Sequence, residues 1–166
     1  MKQVIIINGY ASSGKDTFID MCQEHTRATR LWTSTPAKKA LMELGWDGVN
    51  KGADIRYVLQ QLIEMSEFMF DGTVAYLDVS LAQISDGLVF IHCREHGKIN
   101  RLKTRYSAKT LFISSDSAKQ MAKTTLSNTS DTGCLENYDY DTVIDNNYGF
   151  AELRQKAKEY CEEMTK

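Results

Sequence analysis

The residues best placed to do chemistry lie near the start of the chain, where Gly9-Tyr10-Ala11-Ser12-Ser13-Gly14-Lys15-Asp16-Thr17 carries two glycines separated by four residues, the second followed by lysine. The β-branched run Val4 to Ile7 precedes this stretch, and Phe18, Ile19 and Cys22 follow it on one helical face. A strand, a glycine-bounded loop and a helix N-terminus in that order form a cradle for phosphate. The glycines let backbone N–H groups turn inward, the helix aims its positive end at the same spot, and Lys15 reaches the outer phosphates. We therefore expect Gly9, Ala11, Ser12, Ser13, Gly14, Lys15, Asp16 and Thr17 to hold the phosphates of a nucleotide. Asp16 stands where Ser or Thr usually follows the lysine. A carboxylate there suits Mg²⁺, which prefers hard oxygen ligands. The alternative makes Asp16 a first-turn acid favoured by the helix dipole, with Thr17 taking the phosphate contact.

Three cations outside this loop are candidates for a second phosphate. Arg94 follows the apolar run Leu88 to Cys93, at the carboxyl end of a predicted parallel strand, the edge at which α/β sheets bind ligands. Arg56 begins the longest predicted helix, and its fork-shaped guanidinium suits phosphate; a solvated helix-surface charge is the other reading. Lys38 follows the second strand. The three histidines form no constellation: His25 ends the first helix as a surface or C-cap residue, His92 lies on an apolar strand as a satisfied buried histidine, and His96 is exposed.

Five strands are expected to carry these residues: Val4 to Ile7, Thr29 to Thr33, Leu88 to Cys93, Thr110 to Ser115 and Thr142 to Asp145. Helices are expected over Lys15 to Gln23, Ala37 to Leu44, the long segment from Asp54 to Asp71, Val74 to Ile84, Glu95 to Tyr106 and Phe150 to Met164. Asp54 reads as the N-cap of the long helix. Its apolar positions, with Met65 and Met69 among them, read as core or domain-contact surface rather than as a cofactor box. Apolar strands alternating with helices argue for a parallel sheet covered on both faces, in one domain spanning residues 1 to 166. The segment 116–140, rich in Ser, Thr, Asn and Asp, begins helix-like at Ser117 and then loses apolar periodicity. It reads either as a solvated loop or as a lid over bound phosphates.

Composition removes several classes of function. The 166 residues suit one compact domain, and the single proline and ten glycines exclude collagen-like or disordered composition. A net charge of −2 provides no global positive field for a nucleic-acid backbone or an anionic membrane, so neither partner is expected. Cys22, Cys93, Cys134 and Cys161 form no CxxC or Cys/His cluster, which argues against zinc and for free thiols in a reducing cytosol. No apolar run approaches the length of a membrane span, and the N-terminus lacks a signal-peptide core. A cytoplasmic location is expected.

The loop's Ser13-Gly14-Lys15-Asp16-Thr17 resembles that of phage-type deoxynucleoside monophosphate kinases and, more broadly, of the P-loop nucleoside and nucleotide kinases. Thr33 to Lys39, Phe90 to Ile99 and Tyr140 to Asn146 are similar to that family in position and character. The resemblance implies a three-layer α/β/α P-loop NTPase fold with a five-stranded parallel sheet and a lid segment. It also implies transfer of the γ-phosphoryl group of ATP, with Mg²⁺, to a small phosphorylated acceptor, a (deoxy)nucleoside monophosphate in the nearest case. Lys15 and Arg94 would serve catalysis, Lys38, Arg56 and Arg94 would hold the acceptor, and Asp16 the metal. Two departures matter. Where the related kinases end the third strand in Asp-x-Arg, this chain has His92-Cys93-Arg94, with Glu95, Asp78 or Asp16 as substitute acids; and no arginine occurs between Arg105 and Arg154, so charge in the lid rests on Lys119 and Lys123. These departures motivate the alternative of a catalytically weak or inactive ATP-binding sensor. A GTPase is disfavoured, because Ser114 to Gln120 contains no Asn-Lys-x-Asp guanine-reading segment.

Overall fold

The structure is a computed structural model that describes residues 1–50, 52–124 and 138–166. Part of the expected lid, with Cys134, lies outside the described residues. The strands are β1 (Lys2–Asn8), β2 (Ala28–Trp32), β3 (Gly87–His92), β4 (Lys109–Ser114) and β5 (Thr142–Asp145). The helices are α1 (Lys15–Gln23), α2 (Thr35–Glu43), α3 (Ala53–Phe70), α4 (Gly72–Ala82), α5 (His96–Tyr106), α6 (Asp116–Thr124) and α7 (Phe150–Met164).

The five strands form one parallel sheet in the order β2-β3-β1-β4-β5. β1 is central: Val4 pairs with Val89 of β3 on one side, and Ile7 with Leu111 of β4 on the other. β5 forms the far edge, with Phe112 opposite Val143. Period-two alternation divides the strands' side chains between two helical layers. Ile5, Ile7, Leu88, Phe90, Leu111, Ile113 and Ile144 point to one face, where Phe18, Ile19 and Cys22 of α1 and Leu153, Ala157, Tyr160 and Cys161 of α7 cover them. Phe18 anchors this layer, with its ring edge-on to both Phe90 and Tyr160. On the opposite face α5 packs on β1, and Ala118 and Ala122 of α6 pack with Tyr10 and Phe112. This is the expected three-layer α/β/α architecture, in accord with a P-loop NTPase-like fold.

The chain divides into two compact units. One comprises Met1–Arg30 and Asp86–Lys166, the other Leu31–Ser85. In the second unit α2, α3 and α4 pack pairwise, and Leu41, Val74, Leu77 and Leu81 are buried. Two details of α3 bear on the sequence reading. Gly52, in extended backbone, occupies the N-cap position of α3, which leaves Asp54 in the first turn, where its charge favours the helix dipole. None of the residues of α3 is buried, Met65 and Met69 included, so the Met-rich stripe is not core.

Candidate active site

The carboxyl ends of β1 and β3, the loop after β1 and the first turn of α1 converge within the first unit. β1 ends in Asn8, which is fully buried and whose Oδ1 accepts the N–H of Gly9 at 2.7 Å. The loop then closes as a tight ring. The N–H of Ser13 reaches the carbonyl of Tyr10 at 3.2 Å, and that of Phe18 reaches the carbonyl of Gly14 at 2.8 Å, which opens α1. Gly9, Ser12 and Gly14 all adopt positive φ, at 149°, 62° and 93°. A Cβ at Gly9 would sit 2.6 Å from both the Ile113 carbonyl oxygen and Ser13 Oγ, and one at Gly14 would sit 2.4 Å from Asn146 Nδ2. Glycine is required at both places for room as well as for φ.

Lys15 opens α1 and is buried rather than extended into solvent. Its Nζ donates to the carbonyl oxygens of Gly9 at 2.8 Å and Tyr10 at 2.5 Å. The ammonium is thus held inside the ring that the loop makes. Ser13 is fully buried, and its Oγ has no hydrogen-bond partner. A buried hydroxyl without a partner is costly, so a loop that leaves one inside its own curve, next to a buried ammonium, has the chemistry of an anion cradle. Residues 9 to 17 therefore fit a phosphate group.

Asp16 is exposed on the first turn of α1. Its Oδ1 lies 3.6 Å from Nε2 of His92 and 4.0 Å from Nη1 of Arg30, and Arg30 is itself hydrogen-bonded to Asp20. His92, at the end of β3, is largely buried. That burial pushes its imidazole down to about 4, with Lys15, Arg30 and Arg94 adding to the depression and only Asp16 opposing it. At neutral pH His92 is an uncharged ring beside the loop. Among the described residues, no group of three or more His, Cys, Asp or Glu side chains could hold a metal ion. Mg²⁺ at phosphate sites needs only one or two carboxylates besides substrate oxygens and water, and Asp16 meets that requirement.

The other expected residues fall in different places. Arg94 is exposed, two residues beyond β3, and Glu95 pairs with Lys98 at 3.4 Å. Lys38 on α2 and Arg56 on α3 belong to the second unit. His25 is exposed as expected. His96 is partly buried instead of exposed, because its ring packs against Tyr138 at 5.3 Å.

Three residues that support the loop were not expected. Asn146, just after β5, donates from Nδ2 to the carbonyl of Ser13 at 2.9 Å, while its own N–H reaches Ser114 at 2.8 Å. Asn8 donates to the hydroxyl of Tyr140 at 2.8 Å, and the Tyr140 ring stacks on Phe112. Asn8 is signalled only by its position before Gly9. Tyr140 and Asn146 bound a segment marked only by its likeness to the kinase family, which does not reveal their support of the loop, because their partners lie more than 130 residues away.

No protein-family model matches the chain, and no curated protein does. Solved structures share its fold. The Thermus thermophilus protein TT1252 aligns over 99% of this chain and 98% of its own, with a TM-score of 0.64 at 17% identity. A gluconokinase from Sinorhizobium meliloti 1021 aligns over 98% and 95%, with a TM-score of 0.52 at 15% identity. The likeness, at 17% and 15% identity, is one of fold, and it does not single out the phage-type deoxynucleoside monophosphate kinases that the loop sequence resembles.

Proposed function

We propose that the protein is a small kinase that transfers the γ-phosphoryl group of ATP to a small phosphorylated acceptor, with a (deoxy)nucleoside monophosphate as the nearest class. The observation that carries this reading is the ring of residues 9–15, which buries the Lys15 ammonium at the end of the central strand, against the N-terminus of α1. Such a site acts by positioning and by charge neutralisation, without a side-chain nucleophile. Backbone N–H groups of the loop and the first turn of α1 would grip the β- and γ-phosphates, with Lys15 moving from its carbonyl partners onto the transferring group. When bound, Mg²⁺ would neutralise phosphate charge, and Asp16, with Thr17 beside it, is the group we assign to hold it. An acceptor oxygen forms the new P–O bond as the bond from the γ-phosphorus to the bridging oxygen breaks, and ADP leaves. Arg94 is assigned to the charge on the transferred group.

His92 favours a second reading. A neutral imidazole replaces the carboxylate that the related kinases carry at the end of this strand, which would suit an ATP-binding sensor that does not transfer phosphate. Incubation with ATP, Mg²⁺ and a panel of nucleoside monophosphates and sugar phosphates, read by mass spectrometry, separates the two. An ATP-dependent gain of one phosphoryl group on an acceptor supports the kinase. Tight ATP binding with no such product across the panel favours the sensor, and absence of ATP binding removes both.

A further inference from the structure

The second unit has an apolar surface that phosphoryl transfer does not require. α3 is an 18-residue helix, about 27 Å long, and contains no buried residue. On one of its faces Tyr57 is 67% exposed, Val58 38%, Met65 55%, Phe68 92% and Met69 57%. These positions, with Gln61, recur at spacings of three and four and form a continuous stripe. Four such side chains and a half-covered valine, at about 200 Å² for a large residue, offer on the order of 600 Å² of surface per copy, most of it apolar. A stable interface buries about 800 Å² per partner, so the stripe supplies about three quarters of that area and residues flanking it supply the remainder. Scattered exposed apolar residues are ordinary, whereas a contiguous patch of this area marks a binding surface.

We infer that this face of α3 binds a second copy of the same chain, forming a two-fold dimer through an antiparallel helix pair. The stripe is self-complementary. Val58, Gln61, Met65 and Phe68 follow the alternating three- and four-residue spacing of an interhelical seam. In an antiparallel pairing centred between Gln61 and Met65, the small Val58 faces the partner's large Phe68, and Gln61 faces the partner's Met65. Two-fold symmetry repeats each contact. In this register the acids avoid one another: Glu64 falls opposite the partner's Leu62, and Asp54 opposite the partner's Gly72. A membrane surface is the poorer occupant. Interfacial helices bind anionic lipid through lysine and arginine, whereas α3 carries Asp54, Glu64 and Glu67 against Arg56 alone. Phe68 and Tyr57, as exposed aromatics near the two ends of the seam, are the expected anchors.

The dimer stands independently of the kinase reading, and Arg56 lies on the opposite side of α3 from the stripe. Size-exclusion chromatography with light scattering and sedimentation velocity, on the purified full chain at micromolar concentration, should give twice the 18.8 kDa of one chain. Phe68→Glu and Met65→Glu should each weaken the dimer by at least about 30-fold. Their circular dichroism should match the parent, since both side chains point to solvent in the single chain. In a Val58→Cys/Phe68→Cys variant, mild oxidation should yield a covalent dimer. A parent protein that stays monomeric throughout that range would overturn the inference. A dimer that survives both glutamate substitutions would also overturn it, as would one that the cysteine pair does not trap.

Discussion

Lys15 combines two roles that pull in opposite directions. In the structure its ammonium neutralises the inward-pointing carbonyls of Gly9 and Tyr10, and in the proposed reaction it must leave them for phosphate. Lys15→Ala should therefore lower nucleotide affinity by at least tenfold and also cost about 1 kcal/mol of stability in the absence of ligand, since two hydrogen bonds of the loop are lost. Isothermal titration and urea unfolding measure the two effects separately; unchanged nucleotide binding would remove the loop from the site. His92 leads to a pH prediction. Its ring takes up a proton near 6.5 when the chain is unfolded, but only near 4 when folded. Between those values the unfolded chain holds a proton that the fold excludes. This source of stability is therefore complete above pH 6.5, declines as the pH falls towards 4, and is constant below that, with a span of at most about 3 kcal/mol. His92→Gln should flatten that part of the curve in urea titrations at pH 7.5 and 4.5 without nucleotide. Equal slopes in the two proteins would mean that burial of His92 has no such cost.

Among the elements, β5 has more influence on the site than its four residues suggest. Its start is clamped by Asp141, which accepts from both the N–H and the hydroxyl of the buried Thr110 at 2.8 Å and from Lys103 at 2.9 Å. Its end delivers Asn146 to the back of the phosphate loop. Asn146→Ala should cost about 1 kcal/mol and raise the dissociation constant for ATP several-fold, through a loop that no longer keeps its shape. Asn147→Ala, at a residue whose Oδ1 accepts the N–H of Asp116, should leave ATP affinity unchanged. Equal effects from the two substitutions would mean that the connection to Ser13 is not what matters. Elements of this kind were largely legible in the chain. The runs at Thr142 to Asp145 and Phe150 to Met164 are apolar in the right rhythm and sit between turn residues, and the structure has both elements with those bounds. The glycine spacing likewise located the loop between β1 and α1. What could not be read was which distant side chain supports which backbone group: nothing within ten residues of Asn146 mentions Ser13. For the stripe on α3 the choice between core and contact surface could not be made from the chain for a related reason, since hydrophobic periodicity shows that a helix has an apolar face but not whether its own chain covers it.

At the scale of the whole molecule, ligand binding and stability are linked. If ATP and Mg²⁺ bind only the folded chain, a concentration 100-fold above the dissociation constant should add about 2.7 kcal/mol, a rise of several degrees in the unfolding midpoint for a protein of this size. Differential scanning fluorimetry should show that rise for the parent and little of it for Lys15→Ala. A midpoint insensitive to ATP in the parent would argue against nucleotide binding altogether. The join between Asn146 and Ser13 has a further consequence for the time at which the site comes into being. The nine-residue loop is complete within the first tenth or so of synthesis, but its support lies 133 positions downstream. The central strand beneath it also waits for β3 and β4 to emerge on either side. A nascent chain carrying the whole glycine and lysine motif should therefore remain unable to retain nucleotide until its last strand has left the ribosome.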